Sequence, residues 1–342
     1  FPRSVPNAIR LHLNEPAFEP SPRVIQAIQA AAASVRRYPD AISEDLTGAL
    51  ATRLQVDPAR LVLGNGSDEL LSLIGIAFLD PGSHAIYPTP AFPRYAALAT
   101  LAGADAAAVP VCADGANDVA AMLAAIRPET RVVICSTPNN PTGAMLDADA
   151  LTRLIEATPA TALLVVDEAY FEFGREAGGC DALAALALRA GPWLSLRTFS
   201  KAYALAGLRV GYAISSSAAV AECLQRVRNT FNIGRLAQVA AVAALADESY
   251  MRAQVAGCAG ARDKLAGKLA VAGLPCLPSS ANFLAVDCKR PAADVVPAMA
   301  AQGYLVSAVG PAPFARHIRL GIGTDDVNEL ALATLIRICG SL

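Results

Sequence analysis

The hydrophobic positions of this chain form short unbroken apolar runs that alternate with longer stretches of helical spacing. From about residue 46 to residue 227, each apolar run is rich in branched side chains and ends in a polar turn. This alternation is typical of a mostly parallel sheet with helices on both faces. We therefore predict an α/β fold for this part, then long alanine-rich helices between residues 215 and 250, and mixed helices and strands up to residue 342.

Polar and charged side chains stand directly after four of the predicted strands. These strands cover residues 61–63, 131–135, 161–166 and 193–196. Open α/β sheets bind their ligands beyond the carboxyl ends of the strands. The residues that follow the four strands are therefore candidates for one shared site.

Lys201 follows the last of these strands. A lysine in this position is usually a solvated surface residue. Here Thr198 and Ser200 offer hydroxyl groups nearby, and Arg209 offers a guanidinium group, which together suit a phosphate. Lysine amines form Schiff bases with carbonyl cofactors. A phosphate-bearing aldehyde would satisfy both halves of this pattern.

Pyridoxal phosphate is such an aldehyde, and it also needs an acidic partner for its pyridine nitrogen. Asp167 ends the strand at residues 161–166, and Tyr170 just beyond it could donate to the phenolate oxygen of the ring. The structural alternative for Asp167 is a helix N-cap. Asn140 offers an amide after the strand at residues 131–135, where formation of a tight turn is an equally good explanation.

The strand at residues 61–63 ends in a glycine-rich turn and the start of a helix. The backbone amides of Gly66, Ser67 and Asp68 would face an anion at the N-terminus of this helix. A dinucleotide site is the competing interpretation, but Glu69 stands where the third glycine should be. The convergence of four strand ends on parts of one cofactor site favours pyridoxal phosphate.

Composition excludes several other classes of protein. The 342 residues carry a net charge of −2 and are 54% hydrophobic, which allows a large core and usually two domains. The scattered basic residues form no stripe for nucleic acid, and the apolar stretches are too short to cross a membrane. The eight cysteines and three histidines lack metal-ligand spacing, so no metal is predicted. The chain opens without a signal-like segment, so a cytoplasmic location is expected.

Taken together, these segments resemble the fold-type I, pyridoxal phosphate-dependent aminotransferases of the histidinol-phosphate aminotransferase branch. The resemblance covers nearly the whole chain and rests on Ser-Lys-Ala-Tyr at residues 200–203 and Asp-Glu-Ala-Tyr at residues 167–170. It implies that Lys201 carries the cofactor and moves a proton between the substrate's α-carbon and the cofactor, and that Asp167 pairs with the pyridine nitrogen. The remaining groups that it implies are Tyr170 and Asn140 at the phenolate oxygen, and Ser67, Asp68, Thr198, Ser200 and Arg209 around the phosphate.

The resemblance also implies the domains and the partners. A large cofactor-binding domain is expected over residues 30–235, and a small α+β domain from residues 1–29 and 236–342. Tyr38 is expected to reach the cofactor phosphate of a second subunit, which implies a homodimer with its active sites at the interface. Phe92 is expected to stack on the cofactor ring, although a role in the core explains it equally well. Arg319 is expected to bind the carboxylate of a small-molecule amino donor or 2-oxo acid.

Two departures from the family pattern bear on the substrate. Ser307 stands where histidinol-phosphate aminotransferases usually carry an arginine, and Phe18 replaces a tyrosine near the substrate. Losing a charge-assisted hydrogen bond costs about 1.5–3 kcal/mol, enough to change substrate preference. We expect amino transfer to a 2-oxo acid such as 2-oxoglutarate, from histidinol phosphate or from an aromatic amino acid. The alternatives are decarboxylation of a phosphorylated amino acid, as in threonine-phosphate decarboxylases, and a non-catalytic regulatory domain.

Overall fold

The computed structural model describes residues 8–340. The strands are β1 Ile9–Arg10, β2 Leu61–Gly64, β3 His84–Thr89, β4 Asp105–Pro110, β5 Thr130–Ser136, β6 Leu163–Asp167, β7 Trp193–Thr198, β8 Gly211–Ser215, β9 Phe283–Asp287, β10 Tyr304–Leu305, β11 Ser307–Ala308 and β12 His317–Gly321. The α-helices are α1 Pro22–Ala31, α2 Glu44–Leu54, α3 Gly66–Phe78, α4 Arg94–Ala102, α5 Val119–Ala124, α6 Ala148–Ala157, α7 Phe171–Glu176, α8 Ala182–Leu186, α9 Ala218–Val227, α10 Arg235–Leu245, α11 Glu248–Val271, α12 Ala292–Ala301 and α13 Asp325–Gly340. Short 3-10 helices cover Ala32–Arg36, Pro58–Arg60 and Ala206–Leu208.

A seven-stranded sheet with the order β2-β8-β7-β6-β5-β3-β4 forms the centre of the molecule. Strands β3 to β7 run parallel to one another, whereas β8 is antiparallel to both of its neighbours, β7 and β2. Two successive reversals make β2 parallel to β7. The carboxyl ends of β2, β5, β6 and β7 therefore lie at one edge of the sheet, as the sequence predicted.

Alternate residues of the central strands pack into two separate hydrophobic clusters. In β5, Val133 and Cys135 belong to the larger cluster, whereas Val132 and Ile134 belong to the cluster that includes residues of α3, α4 and α9. A strand buried on both faces requires an unbroken apolar run, which is the pattern seen in the sequence. The predicted α/β class with a mostly parallel sheet is confirmed.

The alanine-rich helices are shorter than predicted. Helices α9 and α10 have 10 and 11 residues, and the longest helix, α11, has 24 residues and begins only near the end of the alanine-rich run. Between α9 and α10 the chain leaves the helical conformation, and Phe231 adopts a positive φ of 60°. High helix propensity therefore did not fix where these helices end.

The carboxyl-terminal part forms a second, three-stranded antiparallel sheet with the order β11-β12-β9. The amino-terminal strand β1 pairs with β10, and the carbonyl oxygen of Leu11 accepts a hydrogen bond of 2.8 Å from the amide of Gly321. The segment around Leu11 is thereby fixed beside β12. The domain boundaries stay a prediction, and residues 1–7 of the predicted small domain lie outside the described residues. Within residues 8–340, no helix combines the length and the apolar character needed to span a membrane.

Candidate active site

Lys201 lies three residues after the end of β7. Its Nζ atom donates hydrogen bonds to the backbone carbonyl oxygens of Leu13 and Asn14, at 3.1 and 2.9 Å. Burial, with a smaller contribution from the positive charge of Arg319, lowers the pKa of the Lys201 amine to about 7. A large fraction of the amine is therefore neutral at neutral pH, and the neutral amine is the form that attacks a carbonyl group.

The lowered pKa predicts the pH at which this amine reacts. The neutral fraction of Lys201 rises through a pKa of about 7, so the rate at which apoprotein binds pyridoxal should level off above about pH 8. A surface lysine would instead gain reactivity up to about pH 10. Stopped-flow absorbance measures this rate, and pyridoxal is chosen because it lacks an ionising phosphate. A rate that keeps rising with pH would contradict the prediction.

Asp167 is the last residue of β6, and both of its carboxylate oxygens are hydrogen-bonded. The hydroxyl of Tyr95 donates to Oδ2 at 2.7 Å, and the amide of Ala169 donates to Oδ1 at 3.0 Å. Burial raises the pKa of Asp167 to about 6, and the two hydrogen bonds act in the opposite direction. The carboxylate is thus fixed in orientation and, above about pH 6, negatively charged.

The predicted phosphate-binding residues lie together between β7 and the N-terminus of α3. The hydroxyl of Thr198 is 3.0 Å from that of Ser200, and Nη1 of Arg209 donates to the Ser200 hydroxyl at 3.3 Å. Arg209 has a positive φ of 56°, and Gly66 has a φ of 75°. A Cβ atom at Gly66 would lie 2.3 Å from Nη2 of Arg209, so the guanidinium occupies space that only glycine leaves free.

Replacing Gly66 with alanine should displace Arg209 and raise the dissociation constant of pyridoxal phosphate about tenfold or more, because a charge-assisted hydrogen bond is lost. Gly82→Ala is the matched control, since Gly82 has a φ of 93° but nothing within 4 Å of the position that the added methyl group would take. Both variants share the backbone strain of an alanine at positive φ. Titration of each apoprotein with pyridoxal phosphate measures the effect. Equal affinities in the two variants would contradict the role of Gly66.

Asp68 and Ser67 begin helix α3 and line the same cavity as Arg209. The carboxylate of Asp68 accepts two hydrogen bonds from Arg94, at 2.8 and 2.7 Å, so the negative charge of Asp68 is paired with a guanidinium. This pairing reduces the repulsion that Asp68 would exert on an anion at the helix N-terminus. Its backbone amide can then face a phosphate.

Arg319 projects from β12 into a group of residues on the opposite side of the site. Its Nη1 donates to Oδ1 of Asn140 and its Nη2 donates to the carbonyl oxygen of His12. The Tyr170 hydroxyl accepts a hydrogen bond of 2.7 Å from Nδ2 of Asn14. Ser307 lies directly opposite Arg319 in the pairing of β11 with β12.

One cavity of about 660 Å³ joins most of the predicted site. The predicted residues that line it are Ser67, Asp68, Phe92, Asn140, Asp167, Tyr170, Thr198, Ser200, Lys201, Arg209 and Arg319. These residues come from four strand ends, one helix start and the second sheet. The cavity therefore brings an amine, a buried carboxylate, a phosphate-type donor set and a further guanidinium into one space.

Three predicted residues do not line this cavity: Gly66, Phe18 and Tyr38. Phe18 lines a small separate cavity with Tyr203 and Met251. Its predicted contact with substrate stays a prediction. Its ring is partly buried and packs against the larger hydrophobic cluster. Tyr38 is 78% exposed, and its ring stacks on Phe231 with the centroids 4.8 Å apart. Its predicted contact with a second subunit stays a prediction.

Several residues that line the cavity were not predicted from the sequence, and Tyr95, His12 and Glu15 are the titratable ones among them. Tyr95 was indistinguishable from a core aromatic on helix α4, and its hydroxyl contact with Asp167 spans 72 positions in sequence. His12 and Glu15 line the cavity, but a short amino-terminal strand carries no local signal of its distant partners.

Comparison with known proteins agrees with this geometry. The family model described as aminotransferase class I and II matches residues 6–335. The protein named histidinol-phosphate aminotransferase 2 of Pseudomonas aeruginosa is 42% identical over 331 residues, covering 96% of this chain and 88% of that protein. The crystal structure of histidinol-phosphate aminotransferase from Sinorhizobium meliloti in complex with pyridoxal-5'-phosphate has a TM-score of 0.92 and 33% identity, covering 98% of this chain and 91% of that one.

The chain therefore belongs to the aminotransferase class I and II family. It is a pyridoxal phosphate-dependent aminotransferase, and the resemblance to the histidinol-phosphate aminotransferase branch is confirmed. The comparisons do not favour the alternative of a decarboxylase.

Proposed function

We propose that this cavity binds pyridoxal phosphate through the residues identified from the sequence, with Lys201 as the covalent attachment point. The observation that carries this proposal is that the amine of Lys201 and the carboxylate of Asp167 line the same cavity as the hydroxyl and guanidinium donors beside α3. The lowered pKa of Lys201 suits attack on an aldehyde. Because Gly66 has no side chain, the guanidinium of Arg209 can lie beside it, where it could bind a phosphate.

When bound, pyridoxal phosphate withdraws electrons from the substrate carbon that loses its proton. Asp167 would hold a negative charge against the protonated pyridine nitrogen, and Tyr95 would keep that carboxylate oriented. Asn140 and Tyr170 would hydrogen-bond the phenolate oxygen, and Phe92 would cover the ring. Lys201 would take the proton from the α-carbon of the substrate and transfer it to the cofactor.

The acceptor that we propose is a 2-oxo acid such as 2-oxoglutarate, with its carboxylate bound by Arg319. Histidinol phosphate is the first candidate for the amino donor, because the relatives at 35–42% identity carry that name. An aromatic amino acid is the second candidate. The observation that favours it is Ser307, which lies opposite Arg319 and supplies no second positive charge for a phosphate.

The two donors can be separated by the visible absorption of the bound cofactor. Each donor is added alone to the holoenzyme without any 2-oxo acid, so that loss of the original band reports the amino half-reaction. Loss of the band at much lower histidinol phosphate concentration would support the first donor. Loss at much lower phenylalanine concentration would support the second, and no loss with either would contradict both.

We also propose a cytoplasmic homodimer in which Tyr38 completes the phosphate site of the partner subunit. Support comes from the exposed ring of Tyr38 and from the hydrogen bond of 3.3 Å that Arg235 donates to its carbonyl oxygen, which fixes the backbone there. A large aromatic ring left exposed in one chain is typical of an interface residue.

Mixed dimers test this arrangement. Alone, Tyr38→Ala should be weakly active and Lys201→Ala nearly inactive, since every site in either dimer lacks one group. After the two variants are unfolded together and refolded, each mixed dimer should contain one complete site. The mixture should recover about a quarter of wild-type activity, because about half the dimers are mixed and half their sites are complete. No gain on mixing would contradict a contribution from the second subunit.

A further inference from the structure

His12 is the cavity residue whose role neither the fold nor the predicted site explains. It follows β1 and lines the cavity beside Arg319. Its carbonyl oxygen accepts a hydrogen bond from Nη2 of Arg319, and the Ser307 hydroxyl lies 3.5 Å from the same oxygen. These contacts hold the main chain of His12 beside the guanidinium.

The two nitrogens of the His12 ring have different surroundings. Nδ1 is buried and has no hydrogen-bond partner among residues 8–340. A buried N–H without a partner is more costly than a buried acceptor without one, so the ring proton belongs on Nε2. Because Nδ1 is buried and His12 lines the cavity, Nε2 is the ring nitrogen that remains available to a ligand there.

Burial and the charges around His12 together favour the neutral form of its ring. Burial is the main cause that lowers the pKa of His12, and Arg319 and Arg10 act in the same direction. Glu15 opposes them. A neutral imidazole with its proton on Nε2 is a hydrogen-bond donor without a positive charge.

Arg319, which lies beside His12, has an N–H group that donates to no other group among the described residues. Its Nε is buried without a hydrogen-bond partner in the described part of the chain. The acid-binding end of the cavity therefore offers one permanent positive charge from Arg319 and neutral donors from His12 and Ser307. One positive charge matches a carboxylate, whereas a phosphate monoester carries close to two negative charges at neutral pH.

We propose that His12 donates from Nε2 to the substrate carboxylate held by Arg319, and that this contact makes the site favour amino acids and 2-oxo acids over phosphate esters. The inference rests on the proposed function and, of its two candidate donors, favours the aromatic amino acid over histidinol phosphate. Histidine at this position is thus a specificity-determining residue that provides a hydrogen bond without adding a second charge.

The test uses calorimetric titration of the holoenzyme with succinate, an unreactive dicarboxylate, and separately with inorganic phosphate. His12→Leu removes the donor, and His12→Gln places an amide N–H close to the position of Nε2. The matched control is His317→Gln, because His317 also has a buried Nδ1 without a partner in residues 8–340 but does not line the cavity. The cofactor spectrum and the melting temperature identify any variant that has lost its fold.

We expect His12→Leu to weaken succinate binding about tenfold or more, and His12→Gln to restore it to within about threefold of wild type. Phosphate binding should change by less than about threefold in both, and His317→Gln should match the wild type. In steady-state kinetics, the KM for 2-oxoglutarate should rise in His12→Leu while kcat changes little.

Three results would overturn the proposal: unchanged succinate binding in His12→Leu, equal losses for succinate and phosphate, or equal losses in His12→Leu and His317→Gln. The ratio of succinate affinities between wild type and His12→Leu should also be constant from about pH 7 to pH 9, since a neutral donor does not titrate there. A ratio that falls as the pH rises to neutrality would mean that His12 acts as a cation. If the holoenzyme transfers no amino group from any donor, the proposed function fails, but the succinate titration still decides the role of His12.

Discussion

Replacing Lys201 with alanine is expected to lower kcat for amino transfer by about 10⁴-fold or more, because one side chain supplies both the covalent attachment and the proton transfer. Lys201 is the one lysine among the described residues that line the cavity, so no neighbouring amine can take over. Steady-state rates at saturating cofactor measure the loss. Borohydride reduction and mass spectrometry should find the cofactor mass on the peptide containing Lys201 in the wild type, and nowhere in the variant.

Lys264→Ala provides the matched control. Its amine is 3.3 Å from the carboxylate of Asp325 on the surface of α11, with the Lys264 side chain 53% exposed. A surface ion pair contributes little to stability, so this variant should keep activity within about twofold of wild type. Methylamine added to Lys201→Ala should restore part of the lost rate by replacing the missing base. An active Lys201→Ala, or cofactor attached to a different lysine, would refute the assignment.

The site residues that could be predicted from the sequence are those whose positions depend on neighbouring strands and turns. Asp167 and Lys201 follow buried apolar strands, and parallel strands bring their carboxyl ends to one edge whatever the details of the loops. Gly66 was predicted for the same reason, since a strand, a tight turn and a helix start are neighbours in sequence. Arg319 required the resemblance to a known family, because nothing near β12 marks its contact with Asn140, 179 positions away.

The positions of side chains that the sequence did not predict depend on long-range packing. Phe18 lies in a motif that borders the active site in the family, but the motif does not fix the direction of the side chain, and here the ring packs beside Met251. His12 enters the cavity because β1 pairs with β10, nearly the whole chain length away. A two-residue strand is too short to be predicted from alternation, so sequence patterns could not identify this contact.

Replacing Asp167 with asparagine should lower kcat by about 10²–10³-fold, because a preorganised negative charge at the site of electron withdrawal is lost. The residues that would donate hydrogen bonds to the phosphate are unchanged, so the variant should still bind pyridoxal phosphate. Asparagine keeps an oxygen that can accept from the Ala169 amide or the Tyr95 hydroxyl, and this limits collapse of the pocket. Single-turnover rates at saturating amino donor, with cofactor content measured in parallel, separate lost chemistry from lost binding.

Tyr95→Phe separates the charge of Asp167 from its orientation. This variant keeps the carboxylate but removes the hydrogen bond of 2.7 Å to Oδ2, which helps to hold down a pKa that burial raises to about 6. The pKa of Asp167 in the apoprotein should therefore rise, and infrared spectroscopy of the carboxyl group should show protonation at higher pH than in the wild type. Because the charge returns once the pH exceeds the raised pKa, kcat of Tyr95→Phe should recover at alkaline pH, whereas Asp167→Asn should stay slow at every pH. Equal, pH-independent losses in both variants would mean that Tyr95 acts through packing and not through the carboxylate.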